Sequence, residues 1–201
     1  MALISVSNNA LQNITAVPAS IPSGALVLLS TQTASSSASL SFTSGIDSTY
    51  DSYVFKFINI HPATDSVDFT FQTSTDGGSN YGITTTNTYF WTQHNDSDTY
   101  AELEYRTDND LAQSTSFIKL TDDIGNDNDS SACGFLQLFN PSSTTYVKHY
   151  IGNVQIHTNG DASRQVFTAG YFNTQSPINA FQFKMSSGNI DAGTIKMYGI
   201  K

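Results

Sequence analysis

The most acidic short segment of the chain is TDDIGNDNDSS, which covers residues 121 to 131. Its carboxylates, from Asp122, Asp123, Asp127 and Asp129, are the kind of oxygen ligand that calcium accepts. Their spacing differs from that of a calcium loop, in which acidic residues alternate and a glutamate follows at a fixed distance. Asn and Asp are also common in solvated turns, because they tolerate left-handed backbone and bond to their own main chain. We therefore predict an ordinary turn here and no metal site.

The histidines are the other candidates for metal binding or for general base catalysis. They are His61, His94, His149 and His157. None lies in an H-x-x-x-H or H-E-x-x-H pattern, so nothing indicates a zinc site. A G-x-S-x-G motif is also missing from the sequence, and Ser and Asp are too frequent for their presence to indicate a catalytic triad.

Glu102 and Glu104 are the only glutamates, and both lie in the segment YAELEY. Alternation would place them on the same face of a strand, whereas the two carboxylates of a glycosidase flank the bond that is cleaved. We therefore predict a solvent-exposed face. With no catalytic residue assigned and no cofactor implied, we expect that the protein is not an enzyme.

The segment TYFWTQ places three aromatic residues side by side, Tyr89, Phe90 and Trp91. If this segment is a strand, at least one ring must point away from a one-sided core. An exposed Tyr or Trp could stack on a sugar ring or lie at a subunit interface. Burial of all three rings between two layers is the alternative. Tyr89 and Trp91 are therefore candidate contact residues.

Uncharged polar side chains dominate the composition. Charged residues make up 12% of the 201 residues, the net charge is −9, and Ser and Thr number 27 and 24. This composition favours strands and turns over helices. An acidic chain with eight basic residues is poorly suited to a phosphate backbone, so we expect no nucleic acid binding. No apolar run approaches the roughly 20 residues of a membrane-spanning helix, and the N-terminus lacks the pattern of a secretory signal.

Alternation of apolar and polar residues predicts strands along most of the chain. The segments SVDFTFQTS, AFQFKM and GTIKMYGI each place apolar side chains on one face and polar ones on the other. Turn-forming clusters separate such segments about every 10 to 15 residues, as in a sandwich or jelly roll. We therefore predict an all-β fold, an antiparallel β-sandwich of jelly-roll type, with GTIKMYGI closing a sheet. Cys133, the only cysteine, heads an apolar run and is predicted to be a small core residue.

Residues 1 to 24 differ from the rest, since they contain two prolines, few aromatic residues and no clear period. We predict an extended N-terminal arm over residues 1–24 and one β-sandwich domain over residues 25–201. The arm's spaced apolar residues suit attachment to a neighbouring surface. They are Leu3, Ile4, Leu11, Ile14 and Val17. The segment that follows, ALVLLSTQTASSSASLSFTSG, indicates either a first hairpin or a strand with a break.

Four longer segments resemble a group of small virion-associated proteins of marine tailed phages. They are TASSSASLSFTSGIDSTYDSYVFKFINIHPATD, FQTSTDGGSNY, LFNPSSTTYVKHY and AGYFNTQSPINAFQFKMSSGNIDAGTIKMYGIK. The final GTIKMYGIK is similar to the G-T-I-x-L-Y-G-I endings of phage fibre and head-decoration modules. The resemblance covers roughly residues 25 to 201. It implies a virion structural protein with a jelly-roll-like domain and includes no catalytic motif.

From this resemblance we expect a tail-fibre or tail-tip module that serves host adhesion, with capsid decoration as the alternative. A carbohydrate-active enzyme or a free lectin is the alternative from another class. The expected partners are other virion proteins, further copies of the chain, as a trimer in a fibre, and a host surface glycan. Neither nucleic acid nor membrane insertion is expected. Such a protein would be made in the host cytoplasm and released in the virion by lysis.

Overall fold

The computed structural model describes residues 26 to 201, and this part of the chain is built from β-strands and their connections. It contains no helix, and so none that could cross a membrane. The strands are β1 Val27–Thr33, β2 Leu40–Phe42, β3 Ser52–Pro62, β4 Phe69–Ser74, β5 Thr85–Asn95, β6 Ala101–Tyr105, β7 Leu111–Ser114, β8 Ile118–Lys119, β9 Ala132–Phe139, β10 Lys148–His157, β11 Ala162–Phe172, β12 Ala180–Met185 and β13 Ile190–Ile200.

The strands form two antiparallel sheets. The large sheet has the order β1-β13-β3-β9-β10-β11-β5-β6, and β7 also pairs with β5. The small sheet has the order β2-β12-β4-β8. One cluster of buried side chains from both sheets fills the space between them. The predicted all-β, antiparallel sandwich is therefore confirmed.

Aromatic side chains dominate this core. Phe55 of the large sheet packs on Phe181 and Phe183 of the small sheet, with ring centroids 4.5 and 5.2 Å apart. Each such ring, fully buried, contributes about 1.5–3 kcal/mol of gross apolar transfer. The predicted alternation of AFQFKM is confirmed, because Phe181, Phe183 and Met185 are buried while Gln182 and Lys184 are partly exposed.

The polar face predicted for β4 is wrong in part. Phe69 and Phe71 are buried as expected, but Thr70 and Gln72 are buried as well. The connections before β5 and before β8 pass close to this outer face, since the Gln72 amide donates hydrogen bonds to the carbonyl oxygens of Ile83 and Thr115. A polar residue on a strand thus lies beneath loops that are distant in sequence.

The first two strands do not form a hairpin with each other. β1 pairs with β13 in the large sheet, and β2 pairs with β12 in the small sheet. The strand with a break is therefore the correct alternative, and the Ser-rich segment carries the chain from one sheet to the other. β13 lies between β1 and β3, with Ile195 and Met197 buried as predicted.

Cys133 is exposed, so the prediction of a core cysteine is wrong. β9 buries Ala132, Leu136 and Leu138, which fixes the opposite face for Cys133. The apolar run ACGFLQLF continues across both faces of the strand, and Phe135 is exposed with the cysteine. The Cys133 Sγ accepts a hydrogen bond of 3.2 Å from the backbone nitrogen of Asn59.

Candidate functional site

The aromatic triplet of β5 is split between the two faces of the large sheet. Tyr89 and Trp91 are buried, whereas 36% of Phe90 is exposed. The prediction that Tyr89 and Trp91 are exposed contact residues is therefore wrong. The strand buries its odd-numbered residues from Thr85 to Gln93, so the ring directed outward is that of Phe90.

On the buried side of the sheet, the only two arginines of the chain lie over the ring of its only tryptophan, Trp91. Tyr89, Trp91 and Val166 form a small apolar cluster separate from the main core. The guanidinium carbon of Arg164 lies 4.7 Å from the Trp91 ring centroid, and that of Arg106 lies 5.7 Å from it. Both distances suit cation–π attraction, which is strengthened by partial burial. The sequence reasoning missed both arginines, although their rarity in a chain with few charges was a usable signal.

These arginines line a cleft of about 380 Å³, which we call the arginine cleft. Its walls come from the segment before β4, the residue after β6, the β8–β9 connection and β11. The lining residues are Ser66, Asp68, Arg106, Asp122, Asp123 and Arg164. The cleft therefore combines carboxylates and guanidinium groups with almost no apolar lining.

Arg164 is the more deeply placed arginine, with 9% of its side chain exposed. Its Nε donates a hydrogen bond of 2.6 Å to Gln93, and its Nη1 donates to the backbone oxygen and the carboxylate of Asp122 at 2.8 and 3.2 Å. Pairing and hydrogen bonding of this kind offset the desolvation cost of a buried cation. Asp122 thus fixes the position of Arg164 over Trp91.

Arg106 is anchored from outside the cleft. Its Nε and Nη2 bind both carboxylate oxygens of Asp108, at 2.9 and 2.6 Å. This hydrogen bonding is the main cause that lowers the pKa of Asp108 to about 2 and raises the pKa of Arg106 above its ordinary value. Its Nη1 lies 3.7 Å from Glu104 and 3.9 Å from Asp122. The guanidinium therefore keeps one edge toward the cleft.

The opposite wall is held by an ion pair and by hydrogen bonds of Asp68, Ser66 and Asp123. Asp68 forms an ion pair of 2.9 Å with Lys119 and accepts a hydrogen bond of 3.1 Å from the backbone nitrogen of Asp123. Ser66 donates a short hydrogen bond to the carboxylate of Asp123. Ser66 and Asp123 both have positive φ, at 55° and 69°, so two left-handed turns face each other here.

Two polar atoms in the small aromatic cluster have no hydrogen-bond partner. They are the Tyr89 hydroxyl and the Trp91 indole nitrogen, and both are buried. Burial is the main cause that raises the pKa of Tyr89, and the charges of Asp122 and Asp68 raise it further, while Arg164 and Arg106 oppose this rise. The hydroxyl thus lies within electrostatic reach of four residues of the cleft.

The acidic segment does not form a metal site in the described part of the chain. No group of three or more His, Cys, Asp or Glu side chains among residues 26 to 201 is arranged to hold a metal ion. Asp127 and Asp129 are exposed, and the backbone nitrogen of Ser130 closes a turn on the Asp127 oxygen at 2.8 Å. Asp122 and Asp123 instead belong to the arginine cleft.

The histidines lie apart from this cleft. Ser130 joins two of them, since its backbone oxygen lies 2.8 Å from His61 Nδ1 and its hydroxyl lies 2.8 Å from His157 Nδ1. Ser130 is buried, and within residues 26 to 201 no carboxylate is hydrogen-bonded to His157. His94 pairs with Asp98 on the surface at 2.9 Å. The serine and histidine here therefore lack the third member and the exposure of a catalytic triad.

The two glutamates lie on β6, which is the strand predicted for YAELEY. Glu102 is exposed, and 43% of the Glu104 side chain is exposed. The predicted solvent-exposed face is confirmed. His149 is also exposed, with its ring centroid 6.3 Å from that of Tyr171.

The outer face of the large sheet carries a second candidate surface, which we call the outer patch. It consists of Phe90, Phe135, Ile151 and Phe167, on the neighbouring strands β5, β9, β10 and β11. Phe90 and Phe167 are register partners, and their rings stack at 4.9 Å with an interplanar angle of 9°. The exposed fractions of Phe135 and Ile151 are 39% and 49%.

The outer patch is surrounded by polar or small side chains on its own strands and by one lysine, Lys56 of β3, which is the register partner of Phe135. Outward-facing neighbours on the same strands are Thr88, Thr92, Gln137, Asn153, Gln155, Gln165 and Ala169. Exposed apolar side chains grouped in this way mark interaction surfaces more often than single exposed residues do.

The residues proposed for arm attachment, Leu3, Ile4, Leu11, Ile14 and Val17, lie outside the described residues. No protein-family model, curated protein or solved structure matches the chain. Its function must therefore be argued from the fold, the two surfaces and the resemblance of the sequence segments given above.

Proposed function

We propose that this chain is a structural protein of a phage particle, and that its β-sandwich is exposed on the tail fibre or tail tip and serves host adhesion. The observation that carries the proposal is the outer patch, an exposed apolar surface centred on the stacked rings of Phe90 and Phe167. A face of this kind is suited to contact with another protein surface. The assignment to a phage particle is supported by the resemblance of roughly residues 25 to 201 to virion-associated proteins of tailed phages.

We further propose that the sandwich is a jelly roll. Its eight core strands would be β1, β2, β3, β4, β8, β9, β12 and β13. Among these eight, the first pairs with the last, the second with the seventh, the third with the sixth and the fourth with the fifth. A long hairpin that is rolled up across two sheets produces these pairs, and jelly rolls are common in viral capsid and lectin domains. Strands β5 to β7 and β10 to β11 would then be insertions that widen the large sheet and contribute to both candidate surfaces.

The proposed partner of the outer patch is a second copy of this chain, as a trimer in a fibre. A net charge of −9 makes copies repel one another over most of their surface. Repulsion is weakest where carboxylates are few, and the outward neighbours of the outer patch include no carboxylate and one lysine, Lys56. Homo-oligomers with closed symmetry are also the commonest protein assemblies.

Residues 1 to 24 are proposed to attach the protein to the particle. Strand β1 begins at Val27, so deleting residues 1 to 24 leaves every strand of the described sandwich intact. We expect the shortened protein to unfold at the temperature of the full chain and to be absent from particles assembled in its presence. Normal incorporation would place attachment in the sandwich, and failure to fold would assign the arm to the core.

The main proposal is tested by electron microscopy of phage particles whose genome encodes this chain. The particles are labelled with an antibody fragment against the sandwich. We expect label on the tail. Label on the capsid would support decoration instead, and unlabelled particles would overturn a structural role in the virion. Hydrolysis of host polysaccharide by the purified protein would favour a carbohydrate-active enzyme.

A further inference from the structure

The arginine cleft contains donors and acceptors that have no hydrogen-bond partner among residues 26 to 201. Nη2 of Arg164 and Nη1 of Arg106 donate no hydrogen bond to any residue from 26 to 201. On the acceptor side, one carboxylate oxygen each of Asp122 and Asp123 accepts none within the same range. The cleft therefore contains both unused donors and unused acceptors, on side chains that other hydrogen bonds hold in place.

Two further polar groups are buried beside these atoms without partners. The Tyr89 hydroxyl and the Trp91 indole nitrogen lie in the cluster that the two arginines cover. Buried polar atoms are nearly always hydrogen-bonded in folded proteins, and the exceptions call for a specific explanation. Neither group lines the cleft itself, so the atoms that face a ligand there are those of the arginines and the carboxylates.

The balance of charge indicates which kind of molecule fits. The lining holds the carboxylates of Asp68, Asp122 and Asp123 and the guanidinium groups of Arg106 and Arg164. An anion would meet the carboxylates, and a cation would meet the guanidinium groups. A neutral molecule with several hydroxyl groups satisfies both, because each hydroxyl donates to a carboxylate and accepts from a guanidinium.

We infer that the arginine cleft binds a neutral saccharide, with Arg106 and Asp123 in direct contact with its hydroxyl groups. The cleft's volume of about 380 Å³ lies within the range of small-molecule sites, about 300–1,000 Å³. The inference rests on the proposed adhesion role and names its receptor class and its site.

Trp91 makes this inference directly testable, because it is the only tryptophan and both arginines lie over its ring. The full chain is titrated with glucose, galactose, mannose and N-acetylglucosamine and with their neutral oligosaccharides. We expect at least one of them to produce a saturable change in tryptophan fluorescence and a shift of the indole N–H resonance. Sugar concentrations up to roughly 100 mM would cover even a weak site with a dissociation constant of roughly 1 mM.

The variant Arg106→Gln removes a donor without removing the Arg164–Asp122 pair, and we expect it to weaken binding by at least about tenfold. Lys196→Gln on the outer face is the matched control, with the same loss of charge and unchanged binding. Asp123→Asn serves as the second variant if Arg106→Gln lowers the melting temperature. Absence of any saturable response, or equal binding by the wild type and both cleft variants, would overturn the inference.

The labelling experiment separates this inference from the proposed function. Saccharide binding by a protein that is absent from particles would leave the cleft assignment standing and would make the protein a free lectin. Label on the tail without saccharide binding would retain the structural role and would reject the cleft as the receptor site.

Discussion

Gln72 and Gln182 lie directly opposite each other on neighbouring strands of the small sheet, yet Gln72 is fully buried and Gln182 is partly exposed. The Gln72 amide nitrogen lies 3.3, 3.2 and 3.0 Å from the carbonyl oxygens of Ile83, Thr115 and Ser116. One side chain therefore holds two connections against the outer face of the sheet. Within residues 26 to 201 the Gln182 amide donates a single hydrogen bond, to the Ser41 hydroxyl at 3.2 Å.

Replacing Gln72 by Leu should lower the free energy of unfolding by about 2 kcal/mol, because it leaves buried carbonyl groups without a donor. Gln182→Leu is the matched control, at the same register position, and should cost less than about 0.5 kcal/mol. Urea titration followed by circular dichroism measures both. Equal losses for the two variants would contradict a specific role for Gln72.

The same pair shows how far the sequence determines the fold. Alternation is a local property, and it correctly predicted the buried rings of β4 and of β12. Burial of Gln72 depends on residues 83, 115 and 116, which are brought over the sheet by the fold. No pattern within one strand contains that information.

The two candidate surfaces also depend on contacts between residues that are distant in sequence. The strand TYFWTQ was predictable from its composition, but which rings face the core depends on pairing register, and a shift of one residue exchanges Tyr89 and Trp91 for Phe90. Arg106 and Arg164 are far apart in sequence and meet only because β6 and β11 both flank β5. The arginine cleft is thus a product of sheet order, which the sequence pattern does not specify.

The hydroxyl of Tyr53 closes the loop before β3. It accepts a hydrogen bond of 2.9 Å from the Asp47 backbone nitrogen and donates one of 2.9 Å to the Asp47 backbone oxygen. Tyr53→Phe should therefore lower the free energy of unfolding by about 1–2 kcal/mol. The control is Tyr50→Phe, since the Tyr50 ring packs on Tyr53 at 5.9 Å and its hydroxyl bonds to nothing within residues 26 to 201. Thermal unfolding measures the effect, and an equal fall of the melting temperature in both variants would contradict the prediction.

Cys133 should react with a thiol reagent in the folded protein, because its side chain is exposed on the outer face of the large sheet. Mixing native protein with Ellman's reagent should release one equivalent of chromophore per chain without prior denaturation. Cys133→Ser provides the blank. If the thiol reacts only in denaturant, Cys133 is buried in the core, as the sequence predicted.

Lys148 should destabilise the protein at neutral pH. It is fully buried, its only polar contact is a hydrogen bond of 3.0 Å to the Thr174 carbonyl, and it forms no ion pair within the described part of the chain. Burial lowers the pKa of Lys148 below its ordinary value of 10.5. Since the unfolded chain then binds more protons between the lowered pKa and 10.5, the contribution of Lys148 to stability improves as the pH rises through that window.

Lys148→Met should therefore raise the free energy of unfolding by about 1 kcal/mol at pH 7, and the gain should shrink as the pH approaches 10.5. Lys196→Met, on a partly exposed site of the same sheet, should show no such dependence on pH. Urea titrations at several pH values between 7 and 10.5 measure the difference. A loss of stability at pH 7 would mean that the bond to Thr174 outweighs the cost of burial.

The outer patch should hold copies of the chain together. The double variant Phe90→Thr/Phe167→Thr removes the stacked pair at its centre and keeps a residue type that favours strands, so the fold should persist while association is lost. Sedimentation velocity over a range of concentrations should show an oligomer for the wild type and a monomer for the double variant, with similar melting temperatures. Tyr146→Ser, which removes a more exposed aromatic side chain from the β9–β10 connection, is the control and should remain oligomeric. A monomeric wild type, or a double variant that still associates, would show that the outer patch does not join copies of this protein.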